Sequence, residues 1–342
     1  TPPEIFGGDD FAMGSATVTV PVFTGGRISS SIAAAEARGR GAGAQALGAE
    51  QDLKYALADA YVGVLRARKA LEVAASNVRT LEALVGDIGA MYERELVPKN
   101  DLLAVQVALA DARQNQLRAA NAAEIALAAY NRRIGEPLER PAELEESIPV
   151  PEGLPPDLDS LVKLATDQRT ELDALQEQAR AYGQMAKAER ARVLPQVSLT
   201  GGYHYLENQF LDDEEFAAAG VGVRWALFDG GQSRKRAAAL ERNRRATDEQ
   251  RADVESMIAL QVRQAWLGVE ETRQRVEVTA ESVAQAEENL RIARELYGAG
   301  LGTQTQLLEA ETLRVQALTN RDNATLDAGL ARLRLARAVG SL

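Results

Sequence analysis

Phe23-Thr24-Gly25-Gly26 returns 205 positions later as Phe228-Asp229-Gly230-Gly231, and the same shift lays residues 16–137 on 221–342 without a gap. Gly63-Val64 falls on Gly268-Val269, Tyr92 on Tyr297, Leu96 on Leu301 and Leu102-Leu103 on Leu307-Leu308. Arg132 and Gly135 fall on Arg337 and Gly340. A unit of about 120 residues is too long for a solenoid, whose period is roughly 20–50 residues. It reads as a duplicated half-subunit, so the make-up of one copy settles most of the architecture.

Working outward from the corner, residues 16–23 (Ala-Thr-Val-Thr-Val-Pro-Val-Phe) alternate polar and apolar, the mark of a strand with one face in an apolar medium. Their twin, residues 221–228, alternates less cleanly. The Gly-Gly pair ends each strand. A helical stretch follows over residues 27–94, mirrored by 232–299. Its stripe is Leu57, Tyr61, Val64, Leu71, Val78, Leu81, Val85, Ile88 and Tyr92, at spacings of three, four or seven. The second copy repeats it with Val262, Trp266, Val269, Val276, Val283, Leu290 and Tyr297. A helix of that length extends on the order of 100 Å, and the seven-residue recurrence lays it along other helices as a coiled coil. Gly39, Gly41, Gly43 and Gly48 weaken the first copy locally. Arg244, Ala246, Asp248 and Asp253 stand at their second-copy positions, so close packing or fraying is expected there and no site.

The stripe pauses at Leu96-Val97-Pro98-Lys99-Asn100, matched by Leu301-Gly302-Thr303-Gln304-Thr305. Pro98, Gly300 and Gly302 form turns, and Asn100 or Thr305 caps the next helix. That helix runs from Asp101 to Gly135 with Leu102, Val105, Leu109, Ala112, Ala119, Ala123, Ala126 and Tyr130 on one face. Between the copies, residues 136–157 are rich in Pro and Glu, including Pro149 and Pro151, and read as a surface connection. Residues 159–192 form an amphipathic helix, residues 194–205 a strand and residues 206–220 an acidic loop. Each repeat then consists of a strand, a very long helix, a tight turn and a returning helix: residues 1–137 hold the first, 138–160 a linker and 161–342 the second. By the same shift, residues 1–15 match the acidic loop, so the first copy's incoming helix and first strand are expected to precede Thr1.

Composition excludes several classes. Ala, Leu, Glu, Arg and Gln dominate a chain with 46% hydrophobic but only 5% aromatic residues, which favours long helices packed through small side chains. A net charge of −11 argues against a nucleic-acid partner, which needs a basic face. Without cysteine there is no disulfide framework and no thiolate chemistry. His204 is the single histidine, which leaves neither a His-based metal site nor a Ser-His-Asp triad. Gly25-Gly26 and Gly230-Gly231 lack the following Lys-Ser/Thr of a nucleotide loop. No apolar run reaches 18 residues, so no transmembrane helix is expected, whereas a membrane β-barrel needs strands of only about 9–11 residues. No cofactor, no metal and no catalytic residue are expected.

The double strand-to-helix corner, the long paired helices and the duplication resemble the TolC-like outer-membrane efflux protein family. Arg192-Val193-Leu194-Pro195-Gln196-Val197-Ser198-Leu199 is similar to that family's entry into a barrel strand. Tyr297-Gly298-Ala299-Gly300-Leu301 with Leu307-Leu308-Glu309-Ala310 is similar to its helical-tip motif. The resemblance covers essentially the whole chain. It implies a mainly α fold with a small β-barrel portion: a homotrimer whose strands close one barrel in outer-membrane lipid and whose helices form an α-barrel tunnel across the periplasm. The linker at 138–160 then lies at the tunnel's waist. It also implies a constricted tip that docks on a periplasmic adaptor (membrane fusion) protein, itself coupled to an inner-membrane pump, in efflux or type I secretion. The chain departs from the pattern in lacking the first strand and an N-terminal Cys for lipid anchoring.

The family narrows its tip with acidic side chains near the start of the returning helix. Glu309 and Asp101 occupy such positions, with Gln306 equivalent to Asp101; in a trimer one axial Glu becomes a ring of three carboxylates. The competing reading of Asp101 is an N-terminal helix residue favoured by the dipole. Leu96, Val97, Pro98, Lys99, Asn100, Leu301, Gly302, Thr303 and Gln304 are the candidate docking tip, against ordinary solvent turns. Phe23, Gly25, Gly26, Phe228, Gly230 and Gly231 form the strand–helix corners. Tyr203, Tyr205, Phe210, Trp225, Phe228 and Phe23 gather around the strands, either at a lipid–water boundary or in barrel-to-helix packing. The run Asp212-Asp213-Glu214-Glu215 is read as a solvated loop ahead of a cation site. Two rivals remain: a periplasmic adaptor, which needs further β-rich domains, and a structural coiled coil, which leaves the strands without a purpose.

Overall fold

A computed structural model describes residues 12–146, 148, 153–207 and 215–342. The elements run β1 (Ala12–Phe23), α1 (Arg27–Glu93), α2 (Lys99–Ile134), α3 (Leu158–Gln168), α4 (Thr170–Arg190), β2 (Gln196–Glu207), β3 (Glu215–Arg224), α5 (Gln232–Gly298) and α6 (Gln304–Val339). The fold is mostly helical with one small antiparallel sheet, ordered β1-β2-β3. Both ends of α1 and α2 map on those of α5 and α6 by 205 residues. So do the left-handed glycines: Gly25 and Gly230 (φ 59° and 65°), Gly26 and Gly231 (84° and 79°), Gly135 and Gly340 (77° and 84°). The long helices end alike too, with Leu96 N–H donating to Met91 O and Leu301 N–H to Leu296 O.

Three expectations need correction. Residues 159–192 are two helices, because Arg169 turns extended (φ −74°, ψ 112°) and sends its Nη1 to Ala338 O, 3.0 Å away. The whole described part of the expected acidic loop is strand: β2 runs on to Glu207, and β3 already pairs from Glu215, opposite Tyr205, and ends at Arg224, short of the expected residue 228. The alanines at 217–219 carry little strand propensity of their own and are held by their ladder to β2. The returning helices are not capped by Asn100 or Thr305. Lys99 follows Pro98, which offers no side-chain cap, whereas Thr303 and Gln306 form a reciprocal capping box. Phe210, Pro149, Pro151, Asp212, Asp213 and Glu214 lie outside the described residues.

The chain divides into two compact units: residues 1–46 with 171–254, and residues 47–170 with 255–342. In the first, the sheet leads into the opening turns of α1 and α5. In the second, Val78, Leu81, Ile88, Val105, Leu109, Leu290, Tyr297 and Leu307 form one core drawn from α1, α2, α5 and α6. Asp327 of α6 is shared by Arg66 of α1 and Arg275 of α5, each at 2.6 Å. The linker is strapped to the helices of this unit. Asn131 Nδ2 donates to Leu138 O and Arg140 O, Arg68 Nη2 to Ala142 O, and Lys69 pairs with Glu146. Ile148 sits so close to Gly329 that a Cβ there would lie 2.5 Å from its Cδ1.

Candidate functional site

The sheet has two chemically different faces. Side chains alternate along a strand and directly opposed residues share a face. Val18 and Val20 oppose Gly201 and Leu199; Leu199 and Val197 in turn oppose Val221 and Val223. These, with Tyr203, make one continuous apolar face, and Val18, Val20, Leu199, Tyr203, Val221 and Val223 are all exposed. The opposite face carries Thr17, Thr19, Ser198, Thr200, Gly220 and Gly222. There His204 stacks on Phe216 with centroids 5.1 Å apart, and the Thr19 and Thr200 hydroxyls approach to 3.4 Å. Apolar residues turned outward and small polar ones turned the other way are what a strand between lipid and a water-filled lumen requires.

The two corners share a backbone but not their surroundings. At the first, a Cβ on Gly25 would fall 2.7 Å from Leu194 Cδ1, so only glycine fits, both for space and for φ. Gln196 locks this corner, accepting from Arg27 Nε at 3.3 Å and donating to Thr24 O and Ala191 O at 3.2 Å. At the second, nothing lies within 4 Å of a Cβ on Gly230 or Gly231. Asp229 closes that turn by accepting from Gly231 N–H at 2.9 Å and Ser233 N–H at 2.8 Å; hydrogen bonding from the Ser233 side chain first, then from the Ser233 and Gly231 backbone, holds its carboxyl below the usual carboxylate range. Phe23 and Phe228 both stand exposed beside their corners, and the Trp225 indole donates to Val193 O at 3.1 Å.

The turns at 94–98 and 299–303 end the two helical hairpins. Leu96 and Leu301, equivalent by the repeat, are 68% and 79% exposed, which is unusual for leucine and leaves each an apolar knob at a turn. Pro98, Lys99, Asn100 and Thr303 are exposed, while Val97, Gly302 and Gln304 are half-buried. Glu95 adopts φ 57°, the left-handed conformation that Gly300 takes at 72° in the other copy.

Just inside these turns the copies diverge. Tyr297 is 9% exposed and its hydroxyl donates to Asp101 Oδ2 at 3.2 Å, tying α5 to the start of α2. Burial first, then the Asp101 charge and hydrogen bond, push the Tyr297 phenol up to about 12. The swapped pair does not form. Tyr92 is 38% exposed, and Gln306 accepts from Thr303 N–H at 3.0 Å within the cap. The Glu309 side chain, also exposed, makes no ion pair or hydrogen bond among the described residues. Two residues further along α6, Glu311 is buried and grips Arg314 through two bonds of 3.0 and 2.6 Å. The candidates at the tip thus separate into a bonded carboxylate (Asp101), a capping amide (Gln306) and a free carboxylate (Glu309). Sequence reading missed Tyr297 as the partner of Asp101; its signal was the copy-to-copy difference between Asp101 and Gln306.

Among the described residues no cluster of three or more His, Asp or Glu has the geometry of a metal site, and no helix is long and apolar enough to cross a membrane. The family model described as outer membrane efflux protein matches residues 9–136 and 161–341. The outer membrane efflux protein BepC of Brucella suis biovar 1 (strain 1330) is 29% identical over 146 residues, which are 42% of this chain and 32% of that protein. Its aligned part is thus about a third of the relative's length. The outer membrane protein VceC of Vibrio cholerae superposes with a TM-score of 0.82 at 19% identity, over 97% of this chain and 87% of that one. The open state of the Neisseria gonorrhoeae MtrE outer membrane channel gives 0.76 at 19% identity, over 97% and 80%.

Proposed function

The chain belongs to the outer membrane efflux protein family, and from that premise we propose that it is the wall-forming subunit of a trimeric channel. It is an outer-membrane protein extending into the periplasm, not an enzyme. In the proposed assembly the sheets of three copies contribute to one barrel in lipid, and the helices line a tunnel below it. Residues 1–137 and 161–342 form the two wall segments, with 138–160 as a belt at the waist. The observation that carries the reading is the two-faced sheet, whose exposed apolar side would be untenable in water yet suits hydrocarbon.

The tip supplies the rest of the proposal. The exposed turns around Leu96 and Leu301 are the surface that a periplasmic adaptor would grip, and through the adaptor an inner-membrane pump of an efflux or type I secretion system. Asp101, Gln306 and Glu309 lie at the proposed constriction. The Tyr297–Asp101 bond holds the two hairpins of a subunit together, while Glu309, tripled by symmetry, would set the charge of the opening. Substrates pass through without covalent change. An adaptor or a soluble coiled coil has no use for a sheet with one exposed face made mainly of apolar side chains.

Fractionation and electrophoresis test this. The protein should stay with outer membranes through a high-salt wash, leave them only in detergent, and migrate as a trimer until heated. Recovery as a soluble monomer would overturn the reading.

A further inference from the structure

We propose that α2 of one copy docks on α5 of the next in the antiparallel register that α6 keeps on α1 within a copy, with Ile125 meeting Leu267 and Arg118 meeting Glu271. The proposal rests on the trimeric reading and supplies the surface that joins the copies. Val105, Leu109 and Ala112 of α2 are buried in the core of the tip. On the opposite face Leu103, Val107, Leu117 and Ile125 stand exposed, on a line of three- and four-residue steps that marks a coiled-coil seam. The same line on α6 ends in Leu326 and Leu330, which are buried with Val62 and Leu65 of α1.

The repeat makes that α1–α6 contact a template. Val62 and Leu330, 1% and 8% exposed, correspond to Leu267 and Ile125, 52% and 70% exposed. The polar contacts have changed in matched pairs. Arg66 Nη1 donates to Asn323 Oδ1 at 2.9 Å, and Arg66 Nη2 to Asp327 Oδ1 at 2.6 Å. The corresponding residues are Glu271, Arg118 and Ala122. The reversed charge on α5 is thus answered by a cation on α2, and the carboxylate that would repel Glu271 is gone. Arg334 Nε donates to the Tyr55 hydroxyl at 3.1 Å, and both members of that pair become apolar, Ala129 and Leu260. Each change on α5 is matched on α2, as complementary faces require. Arg118 and Glu271 are exposed, and their contacts among the described residues are local: Arg118 to Asn115 at 3.2 Å, Glu271 to Arg275 at 3.7 Å. Since both faces are bare within one copy, the helix that fills each belongs to another, and a head-to-tail contact of this kind can close into a ring.

The chain has no cysteine, so Ile125→Cys/Leu267→Cys in the detergent-purified full chain reads the seam without background. After oxidation, a non-reducing denaturing gel should show covalent dimer and trimer and nothing larger. A bond formed only within one chain overturns the proposal, and so does no bond in a protein that still migrates as a trimer before heating. Arg118→Glu should lower the temperature at which the trimer dissociates, and Glu271→Arg added to it should raise that temperature again. A second substitution that deepens the loss overturns the ion pair. A wild type that is monomeric in detergent would instead sink the trimeric reading, and the seam with it.

Discussion

Tyr297 and Asp101 meet across 196 positions of chain, phenol to carboxylate at 3.2 Å, while their repeat equivalents Tyr92 and Gln306 do not meet. A duplicated architecture has therefore been made unequal at one end. The bond links the second hairpin to the first within the tip core, and it joins a buried donor to an ionised acceptor, the stronger kind of hydrogen bond.

Tyr297→Phe removes the donor while keeping the ring in the core. We expect a loss of about 1–2 kcal/mol at the tip, read as faster hydrogen exchange at the ends of α5 and α2, and a larger single-channel conductance in planar bilayers. An unchanged channel would show that the bond does not restrain the opening.

The same pair sets a pH dependence. The Tyr297 phenol is pushed up to about 12 from an ordinary 10, chiefly by burial and then by Asp101. Its contribution is complete below pH 10, declines as the unfolded-state phenol ionises, and is gone once pH passes 12. Ultraviolet difference titration should show one tyrosine ionising late. In Asp101→Asn that tyrosine should titrate earlier; an unmoved titration would exclude the carboxylate as a cause.

Glu309→Gln removes the unpartnered carboxylate at the proposed opening and touches no bond in the subunit. Raised conductance or altered cation selectivity is expected, with unchanged trimer stability. A channel identical to wild type in both respects removes Glu309 from the constriction.

The corners should respond unequally to one methyl group. Gly25→Ala meets both the left-handed φ and Leu194, a cost of about 2–4 kcal/mol. Gly230→Ala meets only the conformational term, about 1 kcal/mol. Chemical denaturation of the two variants side by side checks the order, and equal losses would mean that Leu194 yields freely.

Glu95→Gly relieves the left-handed strain that its counterpart Gly300 avoids, a gain of about 0.5–1 kcal/mol at the first hairpin turn. Amides of residues 91–97 should exchange more slowly. Faster exchange would show that glycine's added freedom outweighs the relief.

Much of this was legible in the chain itself. The repeat, the four long helices and both double-glycine corners follow from periodicity and turn residues, which are local properties that neighbouring residues report directly. Strand ends were less legible: Ala217, Ala218 and Ala219 carry no β signal, and Tyr203, Gly202 and Gly201 across the ladder make them strand. The break at Arg169 was hidden for the same reason, since its partner, Ala338, lies 169 residues away.

What residue order determined alone is therefore the modular plan: strand, corner, rod, turn, rod, twice over, with apolar stripes that demand partners. Only the tertiary structure decided how the two copies differ in use. Asp101 finds Tyr297, Gln306 caps its own helix, and Leu194 packs against the Gly25 corner. Those choices depend on which distant side chain arrives in a given space, and a local pattern repeated twice cannot distinguish them.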